Sequence, residues 1–276
     1  MGQCSPMTPE VPSGMIMSSM ATERDWKAEF ERTYAGRPSA VAERVWRGVF
    51  GDEYPAGLDP FSGVSVSELE RIAAEVRVGE SETIADLGCG RGGPGLWVAM
   101  ATGADLVGID ISSTALEAAS ERAARLGLDG RARFHEASFE DTGLIDRSAD
   151  ALMSIDALLF STDKAAALAE FRRILRPAGR LVFTSVDYHH QPAGRPPQVE
   201  DHRPLLEAAS FEVLAYEETD DWHRRISETT AGLLENVSDL AAESGQDVET
   251  TTERLREIQA TIDCMSRRIL VVAQAR

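Results

Sequence analysis

The sequence predicts an α/β fold in which a mostly parallel sheet carries helices on both faces. Between Thr83 and Ser185, short apolar runs alternate with amphipathic segments of helical period, a pattern typical of parallel strands joined by crossover helices. The first of these runs leads directly into a glycine-rich turn and a helix, where such sheets bind ligands. The chain has 276 residues and 43% hydrophobic content, so we expect one large core with additions.

The residues ahead of the first strand predict an extension and a helical cap. Residues 1–21 combine Met, Pro, Ser and Gly with few side chains to bury, which predicts a flexible N-terminal extension rather than a signal peptide. Within residues 22–63, aromatic and apolar side chains recur at three- and four-residue spacings, so we expect two short cap helices and a loop. A helix opening at Ser67 is expected to run to about Val78.

Residues 64–219 are predicted to form the α/β core, and the rest a second cap and a closing strand. The expected core strands are Thr83–Leu87, Asp105–Ile109, Ala132–His135, Ala149–Ile155, Gly179–Ser185 and Phe211–Tyr216. The helices between them are Pro94–Thr102, Ser113–Leu126, Lys164–Leu175 and Arg203–Ala209, with a Pro- and Gly-rich loop over His189–Pro197. Residues 220–265 predict a polar helical cap, from about Asp221 to Ile262, and residues 266–276 contain a strand over Arg268–Ala273.

Composition narrows the classes of partner and compartment. The formal net charge is -18, which opposes the phosphate field of DNA or RNA, so no nucleic-acid partner is expected. Cys4, Cys89 and Cys264 stand apart, which predicts neither a disulfide framework nor a zinc site and favours a cytoplasmic protein. No run of about 18 apolar residues is present, so no membrane span is expected.

The glycine-rich turn fits two kinds of cofactor. Gly88, Gly90 and Gly92 lie where the helix N-terminus offers free N–H groups and glycine permits close approach. The segment also satisfies the dinucleotide pattern G-x-G-x-x-G. Asp110, 20 residues after Gly90, suits the two hydroxyls of a ribose, which NAD and S-adenosylmethionine share. Asp86 discriminates between them, because a carboxylate here opposes a diphosphate and suits a cationic cofactor.

Four segments resemble class I S-adenosylmethionine-dependent methyltransferases of the small-molecule type. The residues that carry the resemblance are Ile84-Ala85-Asp86-Leu87-Gly88-Cys89-Gly90-Arg91-Gly92, Leu106-Val107-Gly108-Ile109-Asp110-Ile111-Ser112, the segment from Ala149 to Ala157, and the segment from Phe171 to Leu181. The resemblance implies a Rossmann-like sheet of seven strands with an antiparallel last strand. It also implies S-adenosyl-L-methionine as the methyl donor and S-adenosyl-L-homocysteine as the product.

The resemblance further implies where the cofactor is held. Asp86, Gly88 and Gly90 would line its methionine end, with Cys89 and Gly92 in the same turn; Asp110 would bind the ribose, beside Ile111; and Ser138 and Phe139 would contact the adenine. Ser154 and Asp156 follow in the fourth motif, where cofactor and substrate of the family meet. One position departs from the family, which often has an acidic residue where Ser138 stands.

The catalytic expectations are fewer. Methyl transfer gains most from alignment of the reactants and exclusion of water. An acceptor that must lose a proton would also use a base, for which we expect His189 or His190, with a solvated loop as the alternative, and Asp156 is a further catalytic candidate. Asp187 with this histidine pair lacks the spacing of a known metal site, so no metal is expected.

The predicted function is transfer of a methyl group to an O, N or C atom of a small organic metabolite, in secondary metabolism. Two alternatives stay open: an NAD(P)-dependent oxidoreductase that uses the same turn, and a protein that binds S-adenosylmethionine without transferring its methyl group. The oligomeric state is also open, with a homodimer as one candidate.

Overall fold

The computed structural model describes residues 24–36, 38–59 and 62–276. The expected extension over residues 1–21 lies outside the described residues, as do residues 22, 23, 37, 60 and 61 of the predicted N-terminal cap. The helices are α1 (Trp26–Ala35), α2 (Ala40–Phe50), α3 (Val66–Glu75), α4 (Gly93–Thr102), α5 (Ser113–Arg125), α6 (Lys164–Ile174), α7 (Arg203–Ala208), α8 (Trp222–Glu235), α9 (Val237–Ser244) and α10 (Val248–Ile262). The strands are β1 (Thr83–Leu87), β2 (Asp105–Asp110), β3 (Ala132–Glu136), β4 (Ala149–Ile155), β5 (Leu175–Tyr188), β6 (Phe211–Glu218) and β7 (Met265–Ala275).

The seven strands form one sheet in the order β3-β2-β1-β4-β5-β7-β6. Strands β1 to β5 run parallel, and β7 lies antiparallel between β5 and β6. The predicted fold class, with its antiparallel last strand, is therefore confirmed. The chain moves outward from β1 to β3 and then returns to β4, so β1 and β4 enclose the topological switch point, the place where open α/β sheets bind ligands.

Helices cover both faces of the sheet, so successive residues of a strand are buried on opposite sides. In β1, Ile84 packs with Leu96 of α4, whereas Ala85 belongs to the core that contains Phe171 of α6. All four side chains are almost completely inaccessible to solvent. Strands buried on both faces read as continuous apolar runs, which is why the sequence pattern predicted a parallel sheet.

Several predicted boundaries differ from the structure, and three of the differences have a clear local cause. Helix α3 ends at Glu75 rather than near Val78, since Arg77 has a φ of 51° and cannot continue a right-handed helix. Strand β5 begins at Leu175, four residues earlier than predicted, because Leu175 pairs with Ala149 at a register shift in the sheet. The long polar stretch is divided into three helices, and the second of them ends at Gly245 in the left-handed region.

The two predicted caps lie against each other. Helix α2 packs on α8, and a Cβ on Gly232 would stand 2.8 Å from Cγ1 of Val45, so glycine permits this close approach. Helix α1 runs along the carboxyl ends of the strands and also contacts α5. In the part of the chain that the structure describes, none of these helices combines the length and apolar character needed to cross a bilayer.

A buried polar cluster joins β5, β6 and β7 beyond the apolar core. The carboxylate of Asp187 accepts from the Tyr216 hydroxyl at 2.7 Å and from Arg267 Nε at 2.8 Å, and it lies 2.9 Å from Nδ1 of His202. The other imidazole nitrogen of His202 is 3.3 Å from the Ser185 hydroxyl. Asp187, Ser185 and His202 are inaccessible to solvent, so we assign this cluster to structure.

We expect Asp187→Asn to lower the free energy of unfolding by about 3 kcal/mol. The neutral amide removes the negative charge with which the donors around Asp187 are paired. Urea unfolding followed by circular dichroism measures the change. The control is Asp201→Asn, which alters a more exposed ion pair with Arg203 and should cost less than about 1 kcal/mol. Equal losses in the two variants would contradict the role of the cluster.

Candidate cofactor and acceptor site

The glycine turn after β1 requires glycine at three positions. Gly88, Gly90 and Gly92 have φ values of 78°, 52° and 72°, in the left-handed region. A Cβ on Gly88 would lie 2.4 Å from the Cβ of Ala157, and a Cβ on Gly90 would lie 2.8 Å from the hydroxyl oxygen of Tyr34. The turn therefore forms a narrow cradle beneath α1, and any side chain there would close it.

Two adjoining cavities open from this turn. The smaller, of about 40 Å³, is lined by Tyr34, Asp59, Ser62, Asp86, Gly88, Cys89, Gly90, Arg91, Gly93, Pro94 and Ile155. The larger, of about 220 Å³, is lined by Trp26, Phe30, Tyr34, Gly88, Ile109, Asp110, Ile111, Ala137, Ser138, Phe139, Glu140, Ile155, Asp156, Ala157, Phe160, Ser161 and Thr162. Gly88 is shared by both, so the predicted methionine-end residues and the predicted adenosine-end residues face one continuous site.

Asp86 is a buried carboxylate without a counter-charge. It is 2% exposed, and among residues 24–36, 38–59 and 62–276 no donor hydrogen-bonds to it and no cation pairs with it. Burial, together with the negative charge of Asp110, raises the pKa of Asp86 from 3.8 to about 7. A cation brought to this carboxylate would offset both the loss of solvation and the repulsion from Asp110.

Asp110, at the end of β2, shapes the turn as well as facing the cavity. One carboxylate oxygen accepts from the Gly90 N–H at 2.8 Å, and the other accepts from the Ser112 N–H at 3.0 Å. Burial raises the pKa of Asp110, and these backbone bonds act in the opposite direction. Each oxygen keeps a further lone pair, so the carboxylate can still accept from a ligand hydroxyl.

Aromatic residues of α1 form the outer wall of the site. Trp26, Phe30 and Tyr34 all line the larger cavity. Arg91, inside the glycine motif, fastens this wall: its guanidinium pairs with Asp59 at 2.7 Å and donates to the backbone carbonyl of Tyr34 at 3.1 Å. The sequence placed these aromatic side chains in a cap, but it gave no sign that Arg91 would hold the cap onto the turn.

Four of the predicted site residues do not line either cavity in the part of the chain that the structure describes. Gly92 begins α4 and faces the core, and the Ser154 hydroxyl donates to the carbonyl of Leu87 at 2.8 Å, tying β4 to β1. His189 and His190 are exposed, with their rings 4.7 Å apart. Their role as a base stays a prediction.

Asp156 lines the larger cavity but is held by a buried arginine. Nε of Arg268 lies 3.0 Å from one carboxylate oxygen of Asp156, and Nη2 lies 3.0 Å from the other. The Gly63 N–H also donates to Asp156, at 3.1 Å. Arg268 in turn pairs with Glu68 at 2.6 Å. This arrangement fixes the orientation of Asp156 and engages both of its carboxylate oxygens, which suits an acceptor of hydrogen bonds better than a proton carrier.

The predicted adenine end contains an acidic residue that the sequence analysis did not single out. Ser138 lines the cavity, but its hydroxyl oxygen accepts from the Asp141 N–H at 3.2 Å. Glu140 lines the same cavity, and its carboxylate accepts from the Ser161 hydroxyl at 2.7 Å. The sequence contained a hint of this residue. Ser138 stands where the family often has an acidic residue, and Glu140 follows it by two positions.

Comparison with family models decides the family. A model described as a methyltransferase domain matches residues 79–249, more than half of the chain. The chain belongs to this methyltransferase-domain family. The match spans the glycine turn, Asp110, the predicted adenine-end residues and Asp156, most of which line the two cavities. Membership favours the methyl-donor interpretation of the turn over the nicotinamide one.

Curated relatives include methyltransferases from actinobacteria. The chain is 30% identical over 132 residues to Methyltransferase GfsG of Streptomyces halstedii, which covers 48% of each chain. It is 28% identical over 192 residues to 27-O-demethylrifamycin SV methyltransferase of Amycolatopsis mediterranei, covering 68% of each. The matches span between 32% and 68% of the length of these and other curated relatives.

Solved structures share the fold at low identity. The [4+2]-cyclase SpnF matches with a TM-score of 0.66 and 23% identity, covering 75% of this chain and 79% of that one. Geranyl diphosphate C-methyltransferase of Streptomyces coelicolor, solved with S-adenosyl-L-homocysteine, matches with a TM-score of 0.63 and 16% identity, covering 92% and 98%. These similarities support the Rossmann-like fold. At such low identity they do not identify the reaction, which has to be inferred from the residues of the site.

The raised pKa of Asp86 predicts a pH dependence of stability in protein freed of bound small molecules. Between pH 4 and pH 7 the folded state holds a proton on Asp86 that the unfolded chain releases, so stability falls as pH rises through this window. Above pH 7 this loss of folding free energy approaches about 4 kcal/mol. We expect Asp86→Asn to flatten the dependence, measured by urea unfolding at several pH values. The exposed Asp129→Asn is the control, and a wild-type slope in both variants would contradict the assignment.

Proposed function

We propose that this protein binds S-adenosyl-L-methionine and transfers its methyl group to an O, N or C atom of a small organic metabolite, in secondary metabolism. The observation that carries the proposal is the Asp86 carboxylate, buried beside Asp110 and lacking a counter-charge among the described residues. A cationic cofactor supplies that charge, whereas the diphosphate of a nicotinamide cofactor would add to the repulsion.

The residues around the turn fit this cofactor. Asp86, Gly88, Cys89 and Gly90 would hold its methionine end, and Asp110 with Ile111 its ribose. Ser138 and Phe139 would contact the adenine, and Glu140 supplies the acidic acceptor that the family often carries at the serine position. When bound, S-adenosyl-L-methionine supplies a methyl group on a positively charged sulfur, a good leaving group.

The protein's own contribution is alignment and exclusion of water. Tyr34, Trp26 and Phe30 close the site from the side of α1, and Arg91, paired with Asp59, keeps this wall in place by donating to the Tyr34 carbonyl. A closed, apolar wall strengthens the electrostatic interactions inside it and limits hydrolysis. Holding two reactants in line can by itself supply much of the rate enhancement.

We expect Asp86→Asn to weaken binding of S-adenosyl-L-methionine at least 10-fold in calorimetric titration, because the amide keeps the shape of the side chain but not its charge. Asp110→Asn should also weaken binding, with some loss of stability, since Asp110 supports the Gly90 and Ser112 N–H groups. Asp129→Asn should bind normally. Near-normal affinity in both site variants, or binding of NAD(P)H instead, would refute the proposed site.

Turnover separates a methyltransferase from a protein that only binds the cofactor. We expect release of S-adenosyl-L-homocysteine when the protein meets a suitable acceptor from a panel of hydroxylated, amino and enolic metabolites. Tight binding without release across the whole panel would favour the non-methylating alternative.

The proposed base is tested through the pH profile of that turnover. If His189 or His190 removes a proton from the acceptor, its replacement by alanine lowers kcat about 100-fold and abolishes the fall in rate on the acidic side of the pH profile, with cofactor affinity unchanged. Unchanged turnover in both variants would remove the histidines from the mechanism and leave alignment as the main source of rate.

A further inference from the structure

Arg195 brings a positive charge to the aromatic wall of the larger cavity. It belongs to the loop after β5, and its Cζ lies 5.4 Å from the ring centroid of Trp26 and 5.4 Å from that of Phe160. The two rings are themselves 5.2 Å apart in an edge-to-face arrangement. Both rings line the cavity. Arg195 itself is not among the lining residues, so its guanidinium lies against the aromatic wall, next to the cavity.

Side-chain amides fix the loop that carries Arg195. The Gln191 amide donates to the carbonyl oxygens of Arg195 at 3.1 Å and Pro196 at 3.0 Å, and its oxygen accepts from the Gln198 N–H at 2.8 Å. The Gln198 amide donates to the carbonyl of Leu159 at 2.8 Å, which ties the loop to the segment after β4. The guanidinium is therefore presented from a preorganised loop, as a binding site requires.

The charge of Arg195 has no carboxylate partner within 4.0 Å among residues 24–36, 38–59 and 62–276. Glu29 and Glu257 act on it at longer range, but both are engaged by Arg24, at 2.9 and 3.3 Å. Burial lowers the pKa of Arg195, and the nearby Tyr188 hydroxyl opposes that change. The chain has 46 acidic and 28 basic residues, so a partly buried cation without a close carboxylate is unusual in it. Such a cation favours binding of an anionic ligand.

We propose that Arg195 is an anion subsite for the methyl acceptor, and that the acceptor is an apolar molecule bearing a carboxylate. The aromatic rings contact the guanidinium and leave N–H groups for a planar carboxylate, which the guanidinium fork fits in bidentate fashion. Trp26, Phe30 and Phe160 provide the surface for the apolar part of the same molecule. This inference rests on the proposed function, since it takes the larger cavity to be where acceptor and cofactor meet.

The test compares carboxylic acids with their neutral amides. Benzoate, 2-naphthoate and decanoate, each beside its primary amide, are titrated into the full-length protein with and without saturating S-adenosyl-L-homocysteine, and binding is followed by ligand-observed NMR. We expect at least one acid to bind 10- to 100-fold more tightly than its amide. Arg195→Gln should abolish this preference by weakening the acid alone, and Arg195→Lys should retain part of it.

The controls separate this inference from its alternatives. Arg176→Gln makes the same change of net charge at an exposed ion pair with Asp150 and should keep the preference for the acid. Affinity for S-adenosyl-L-homocysteine should stay within about 2-fold in Arg195→Gln, because Asp86 and Asp110 are untouched. Failure of the wild-type protein to bind that cofactor product would count against the proposed function, while the titrations without it still test Arg195.

Three results would overturn the inference. One is the absence of any preference for an acid over its amide in the wild-type protein. Another is equal weakening of acid and amide in Arg195→Gln, which would show that Arg195 only anchors α1 through Trp26. The third is a loss of S-adenosyl-L-homocysteine affinity in Arg195→Gln with acid binding unchanged, which would place the guanidinium on the cofactor.

Discussion

The ion-pair network of Arg268 is the interaction on which the geometry of the site depends. This side chain is 1% exposed and reaches from β7 to Asp156 after β4, to Glu68 in α3 and to Thr219 after β6. A guanidinium so deeply buried is tolerable only with its charge and donors matched. The requirement explains why segments far apart in sequence converge at the edge of the cavity, and why Asp156 adopts a positive φ of 48°.

The buried charges of this edge divide into matched and unmatched ones, and the unmatched ones describe the ligands. Arg268 has two carboxylates and needs nothing more. Asp86 lies beside Asp110 with no cation among the described residues, which favours a cationic ligand, and Arg195 has no close carboxylate there, which favours an anionic one. Asp86 lines the smaller cavity, whereas Arg195 lies against two aromatic rings that line the larger one. A positively charged methyl donor and a negatively charged acceptor would satisfy both without any change in the fold.

Local patterns predicted the parts of the structure that depend on local physics. The alternation of strands and helices follows from side-chain periodicity, and the turn at Gly88 follows from backbone conformations that other residues avoid. Pairings across long sequence separations left no such trace. Arg91 holding α1, Arg268 holding Asp156 and Arg195 resting on Trp26 each depend on chain segments that only the fold brings together. For the same reason a motif alone could not show that Gly92 faces the core.

The wall formed by α1 connects these electrostatic features to the cavity. Helix α1 contains no fully buried residue, and several of its attachments, such as Lys27 with Glu136 and Glu31 with the Ser113 N–H, are partly exposed polar contacts that contribute little stability individually. Its ring contacts with Phe160 are made by Trp26 and Phe30, which also line the cavity. A ligand that fills the cavity therefore adds apolar contacts to a helix that has no buried residue of its own, so ligand binding would also stabilise the position of α1.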